Sequence, residues 1–148
     1  VAFDRKQIKI AIMGIPKNNL EVVLQKIENA PCDIDMTVQN HSASEDAFDF
    51  TFTVHADDCE KAISFAKNIA VDVKARDVMI DDQIAKLSIV GLGMTSHAGI
   101  SAKIFQTLSG ENIPIYFITS TEAKISTIID SKHLETGARV LHQAFELG

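Results

Sequence analysis

An internal repeat decides what this sequence can become. Apolar residues alternate at Ile8, Ile10 and Ile12 up to Gly14, and again at Leu87 and Ile89 up to Gly91. That is the period-2 pattern of a strand with one buried face. Apolar residues at helical spacing follow in both halves, at Val23, Leu24 and Ile27 and at Ile104, Phe105 and Leu108. Two paired runs come next, residues 34–40 with 48–54 and residues 115–121 with 124–130. Each half then closes on a second helix, where Ala62, Phe65 and Ile69 match Ala138, Leu141 and Phe145.

Both halves therefore read strand, helix, strand, strand, helix, and the first adds a further strand at residues 77–80. This is the split βαβ order of a ferredoxin-like α+β sandwich, here two βαββαβ units with antiparallel sheets and helices on one face. The second half stops at Gly148 without a closing strand. Residues 1–3, or sequence upstream of them, are the expected donor. Starting at Val1 rather than Met is what a trimmed chain or a piece of something longer would show.

The register of the repeat singles out one loop. Gly14 and Gly91 stand 77 positions apart, whereas Leu24 and Phe105 stand 81 apart, so the first strand-to-helix loop is four residues shorter. The longer copy, Gly-Leu-Gly-Met-Thr-Ser-His-Ala-Gly at 91–99, puts glycines after a strand and opens a helix. A dinucleotide fingerprint would need a third glycine where Ser96 stands, and a parallel strand after the helix. Free N–H groups at such a helix start suit a small carboxylate or a purely structural turn instead, with Ser96 as N-cap and His97 in the first turn. His97 has no nucleophile or carboxylate spaced to make it catalytic. His41, His55, His133 and His142 share no metal-ligand spacing. The polar strand ends, Thr37-Val-Gln-Asn40 and Ile118-Thr-Ser-Thr-Glu122, read equally well as ligand contacts and as turn formers. Asp57 and Asp58 are expected to cap the helix that follows them and to complement its dipole.

Charge narrows the function classes. A net charge of -6 and a pI near 5.3 argue against nucleic acid, which needs clustered Lys and Arg. Phe48, Phe50 and Phe52 alternate as stacking aromatics on an RNA-binding sheet would, but they read more simply as core. There is no charged-then-apolar leader, and no apolar run approaches the ~18 residues that span a bilayer. A soluble cytoplasmic chain without a membrane partner is expected. Cys32 and Cys59 form no CxxC spacing and read as buried thiols in a reducing compartment. An acylphosphatase-like hydrolase would need an arginine in its phosphate loop, and the first loop offers only Lys17.

At Val90-Gly-Leu-Gly-Met-Thr-Ser-His-Ala-Gly99, Ser120-Thr-Glu-Ala-Lys-Ile-Ser126 and Leu141-His-Gln-Ala-Phe145, the chain closely resembles the C-terminal regulatory region of aspartate kinase, built from tandem ACT domains. Asp81-Asp-Gln-Ile-Ala-Lys-Leu87 and Val38-Gln-Asn40 fit the same family, so the resemblance covers almost the whole length. It implies a first ACT domain at 7–81, and a second at 84–148 completed by a strand around 1–6. It also implies side-by-side pairing as a homodimer and feedback inhibition by lysine, threonine or both, in aspartate-family amino-acid biosynthesis. The catalytic domain would be attached in cis or associated in trans. Nothing here resembles the kinase half, so ATP and magnesium belong to that absent domain, and neither a cofactor nor a metal is expected in this chain.

By the same resemblance, the first effector site uses the loop Ile15, Pro16, Asn18 and Asn19, with Gln39, Asn40 and Ser42 at the strand end. A second chain would bring Ile115 and Thr121 to it. In the second domain Ser101, Thr121 and Glu122 fall where relatives meet an effector, beside the Ser96 and His97 turn. The family's first loop usually carries Asp-x-Pro-Gly, where this chain reads Gly-Ile-Pro-Lys-Asn-Asn at 14–19, and Pro114 stands where asparagine is more usual. A stand-alone ACT-type sensor or dimerisation module for another enzyme is the alternative reading.

Overall fold

The computed structural model describes residues 2–41, 46–90, 97–121 and 123–145, residue 5 by its backbone alone. The chain divides into two compact units, Lys6–Asp82, and Val1–Arg5 together with Gln83–Gly148.

The Lys6–Asp82 unit contains β1 (Ala2–Pro16, of which residues 6–16 belong here), α1 (Leu20–Glu28), β2 (Ile34–His41), β3 (Ala47–His55), α2 (Cys59–Val73) and the start of β4 (Asp77–Val90). Its strands lie in the order β2-β3-β1-β4, with β3 antiparallel to both of its neighbours. Cross-strand register explains the core: Ile10 faces Phe52, Ile12 faces Phe50 and Ile15 faces Phe48. Opposite residues share a face of the sheet, so the two alternating runs merge into one apolar surface. Val23 of α1 and Ala62, Ala66, Ile69 and Val73 of α2 cover it. Each fully buried Ile or Phe there contributes roughly 1.5–3 kcal/mol. The expectation that the three phenylalanines face the core holds, since all are at most 2% exposed.

The other unit repeats the plan with α3 (His97–Gly110), β5 (Phe117–Ser120), β6 (Lys124–Asp130) and α4 (Leu134–Ala144). Its strand order is β5-β6-β4-β1, using residues 83–90 of β4 and residues 2–5 of β1. Ala85, Leu87 and Ile89 stand opposite Ile129, Thr127 and Ile125, and Ile104, Leu108, Leu134 and Leu141 pack onto them. Gly137 lets α4 approach the sheet, because a Cβ there would lie 2.9 Å from Leu87 Cδ1 and 3.3 Å from Ile129 Cδ1. Both units have the ferredoxin-like arrangement of an antiparallel sheet with two helices on one face.

Several local expectations are corrected. The strand at 77–80 and the one carrying Leu87 and Ile89 are a single strand, β4, because no glycine or proline interrupts Asp81-Asp-Gln83. β5 begins at Phe117, with Ile115 packed beside the core ahead of it. Asp58 occupies the N-cap position of α2 without a side-chain bond, and the preceding 3-10 turn is capped by His55, whose Nδ1 accepts the Asp57 N–H at 3.2 Å. The two aspartates keep only their favourable charge at the helix start. Cys32 and Cys59 are half-buried, both packed against the core. Among the described residues no helix is long and apolar enough to cross a membrane.

Candidate functional site

Candidate ligand contacts converge where β1 runs into α1. The β1–β3 register shifts between Ile12 and Ile15, and Gly14 absorbs the shift at φ +65°. Only glycine adopts that conformation without strain. The Gly14 N–H donates to Asp49 Oδ1 at 2.9 Å, and the Lys17 N–H donates to the Asp46 carbonyl at 2.8 Å. Residues Lys17–Asn19 form a 3-10 turn leading into α1, and neither N-cap residue, Pro16 or Asn19, makes a side-chain cap bond. Pro16 has no N–H to offer. The turn's own i→i+3 pattern draws Asn19's N–H inward. Among the described residues the Asn18 N–H has no partner, and it stands just ahead of the positive end of α1.

The end of β2 is split by strand alternation. Gln39 faces Phe50 and His41 faces Phe48, so both side chains belong to the helix-covered face, and the His41 ring stacks on Phe48 at 5.2 Å. Asn40 faces Asp49 on the opposite face. There it joins Lys9, Met13, Thr51, Met79 and Asp81 around a depression of about 390 Å³. Pro16 and Gln39 thus stand toward the same end of the sheet, but only Gln39 is on the helix-covered face: Pro16, paired with Ala47 next to the inward Ile15, alternates to the other face, as Asn40 does. Ile15 is fully buried and can present only its backbone. Ser42 lies outside the described residues.

In the second unit His97 opens α3 and Ser101 stands one turn further along, both half-buried and on one side of the helix. Ser96 and Glu122 lie outside the described residues. Thr121 is committed to the β5–β6 turn, its N–H donating to the Lys124 carbonyl at 2.8 Å and its Oγ1 accepting the Lys124 N–H at 3.2 Å. Ile115 and Thr121 flank β5 from opposite ends, and its four residues alone separate them by about 10 Å. One small ligand does not bridge both on a single chain.

Sequence reasoning missed Asp46, Asp49, Val73 and Arg76, which hold the loop. Asp49 reads as an ordinary outward residue between two core phenylalanines, and its partner Gly14 is 35 positions away. The Cys32 thiol is pushed above its ordinary value, chiefly by burial and then by the negative charge of Asp58. Among the described residues no three His, Cys, Asp or Glu side chains gather as a metal ion would require.

Comparison with known proteins adds to this geometry. The ACT domain family model matches residues 87–145. Aspartate kinase Ask_LysC of Stutzerimonas stutzeri is 43% identical over 149 residues, covering 99% of this chain and 36% of that protein. The crystal structure of aspartokinase alpha and beta subunits superposes with a TM-score of 0.85 at 37% identity, covering 98% of this chain and 96% of the other. The ligand-free regulatory subunit of aspartate kinase from Thermus thermophilus gives 0.86 at 29% identity, covering 97% and 95%. The chain spans 36% of the length of the curated relatives it matches.

Proposed function

This chain belongs to the regulatory region of the aspartate kinases, with its tandem ACT units, and on that premise we propose that it senses lysine, threonine or both. In this reading it imposes feedback inhibition on a kinase domain, attached or associated, in the cytoplasm. ATP and magnesium would be held by that domain. The observation that carries the reading is the turn at Lys17–Asn19, whose N-cap side chains make no cap bond, leading into the positive end of α1, with Gln39 on the sheet face that α1 covers. The ligand's α-carboxylate would sit on Asn18 N–H, where a negative charge is favoured by the helix dipole. Gln39, exposed at the end of an outer strand, would contact its ammonium or side chain. A second copy would bring Ile115 or Thr121 over the ligand, completing the site across a homodimer. Ser96, His97, Ser101 and Glu122 would form the corresponding place in the second unit.

Calorimetric titration of the chain with lysine and with threonine tests this. Binding of at least one is expected, weakened about fivefold to tenfold in Gln39→Ala, the worth of one partly exposed hydrogen bond of about 1 kcal/mol. Absence of heat with both amino acids would remove the proposal.

A further inference from the structure

The candidate loop is held at both ends by a single turn from elsewhere in its unit. At one end, Asn19 Nδ2 donates to the carbonyl of Val73, the last residue of α2, at 2.9 Å across 54 positions. At the other end, the Arg76 N–H donates to the Met13 carbonyl at 2.8 Å. The Arg76 side chain also lies directly over Gly14: a Cβ built on Gly14 would stand 2.8 Å from Arg76 Cβ, 3.4 Å from its Nε and 3.5 Å from its Cζ. Between these anchors Ile15 and Pro16 are paired to Phe48 and Ala47, and Lys17 N–H is taken by Asp46.

The turn itself is rigidly made. Lys74 takes the left-handed conformation at φ 58°, and the Ala75 N–H returns to the Ala70 carbonyl at 2.9 Å, the Schellman closure of a helix end. A helix leaves its last carbonyls without internal donors. Asn19 supplies one to Val73, so the same side chain finishes α2 and fixes the start of α1.

We infer that Asn19 and Arg76 are positioning residues for the effector, acting through the loop backbone. This rests on the reading that a ligand carboxylate binds at Asn18. Asn18 stands next to one anchor, and the rest of the loop back to Gly14 is held between the two. A donor must meet an oxyanion within a few tenths of an ångström, and freedom at either anchor spreads its position. Linkage makes the effect reciprocal: a ligand that prefers the anchored loop also stabilises the Val73–Arg76 turn.

The test measures lysine and threonine affinity and amide hydrogen exchange on the wild-type chain, Asn19→Ala, Arg76→Ala and Arg76→Lys. Both alanine variants should bind roughly three- to tenfold more weakly, as loss of one hydrogen-bonded or packed anchor predicts. Arg76→Lys, which keeps an aliphatic stem over Gly14, should recover most of the affinity. In the wild type, effector should slow exchange of the Arg76 amide several-fold, and Asn19→Ala should lose that protection while second-unit amides such as Ile129 stay unchanged. Wild-type affinity in both alanine variants, or an Arg76 amide indifferent to effector in a wild type that binds, would overturn this inference alone. A wild-type chain silent to both amino acids would overturn it together with the proposed function.

Discussion

Thr127 puts a hydroxyl into the helix-covered core of the second unit, opposite Leu87 and Ile118, and among the described residues its Oγ1 has no hydrogen-bond partner. On the other face of the same strands Ser88 and Ser126 are also buried, but their hydroxyls meet at 2.8 Å. A desolvated hydroxyl without a partner costs about 1–3 kcal/mol. Thr127→Val keeps the shape and removes that cost, so the variant should be more stable by about 1 kcal/mol, read as a raised urea midpoint at unchanged m-value. An unchanged or lowered midpoint would mean that the hydroxyl is satisfied in solution. At this scale the sequence was legible for residues whose role depends on their own neighbours. The alternating phenylalanines announced a core face, and the short polar run after Gly14 announced a loop. The anchoring roles of Asn19, Asp49 and Arg76 were not legible, because each acts on a partner brought near only by the fold.

Helix and strand ends show where pattern reading stops. α2 closes on Lys74 in the left-handed region, a conformation that costs a residue with a Cβ roughly 1 kcal/mol. Glycine is the usual occupant of such a position. Lys74→Gly should therefore stabilise the chain by about 0.5–1 kcal/mol, offset in part by the added freedom of the unfolded state. Thermal unfolding at matched ionic strength, with a midpoint higher by a few degrees, is the expected result. Asn112 occupies the equivalent conformation after α3, where its type already suits it. The repeat located every helix and most strands because apolar periodicity is a local signal. It divided β4 because three polar residues in a row look like a break, although a strand needs only its backbone to continue. It placed Ile115 inside β5 because its apolar character and packing imitate a strand residue without the pairing.

The fold of the whole molecule was largely visible in the order of its elements, since strand, helix, strand, strand, helix repeated twice leaves few other arrangements. The proposed effector site was less so: its residues come from strand ends that alternation sends to opposite faces, which separates Asn40 from Gln39. β2 and β5 are the outer strands of their units, and a strand at an edge leaves a row of backbone donors and acceptors unpaired. Pairing with a second copy is the expected resolution, so light scattering at micromolar concentration should give about twice the 16.2 kDa of one chain. A mass of one chain across that range, with and without lysine or threonine, would contradict it.

The use of residues 2–5 to finish a sheet otherwise built from residues 83–130 sets a timetable for synthesis. The earliest stretch of this chain to leave the ribosome must wait for some of the latest before it has a neighbour. A gene cut after residue 82 would then yield one product short of a strand and another carrying a tail with no home. Rejoined in the permuted order, with residues 2–5 following residue 145, the same residues would make a unit that is continuous from end to end.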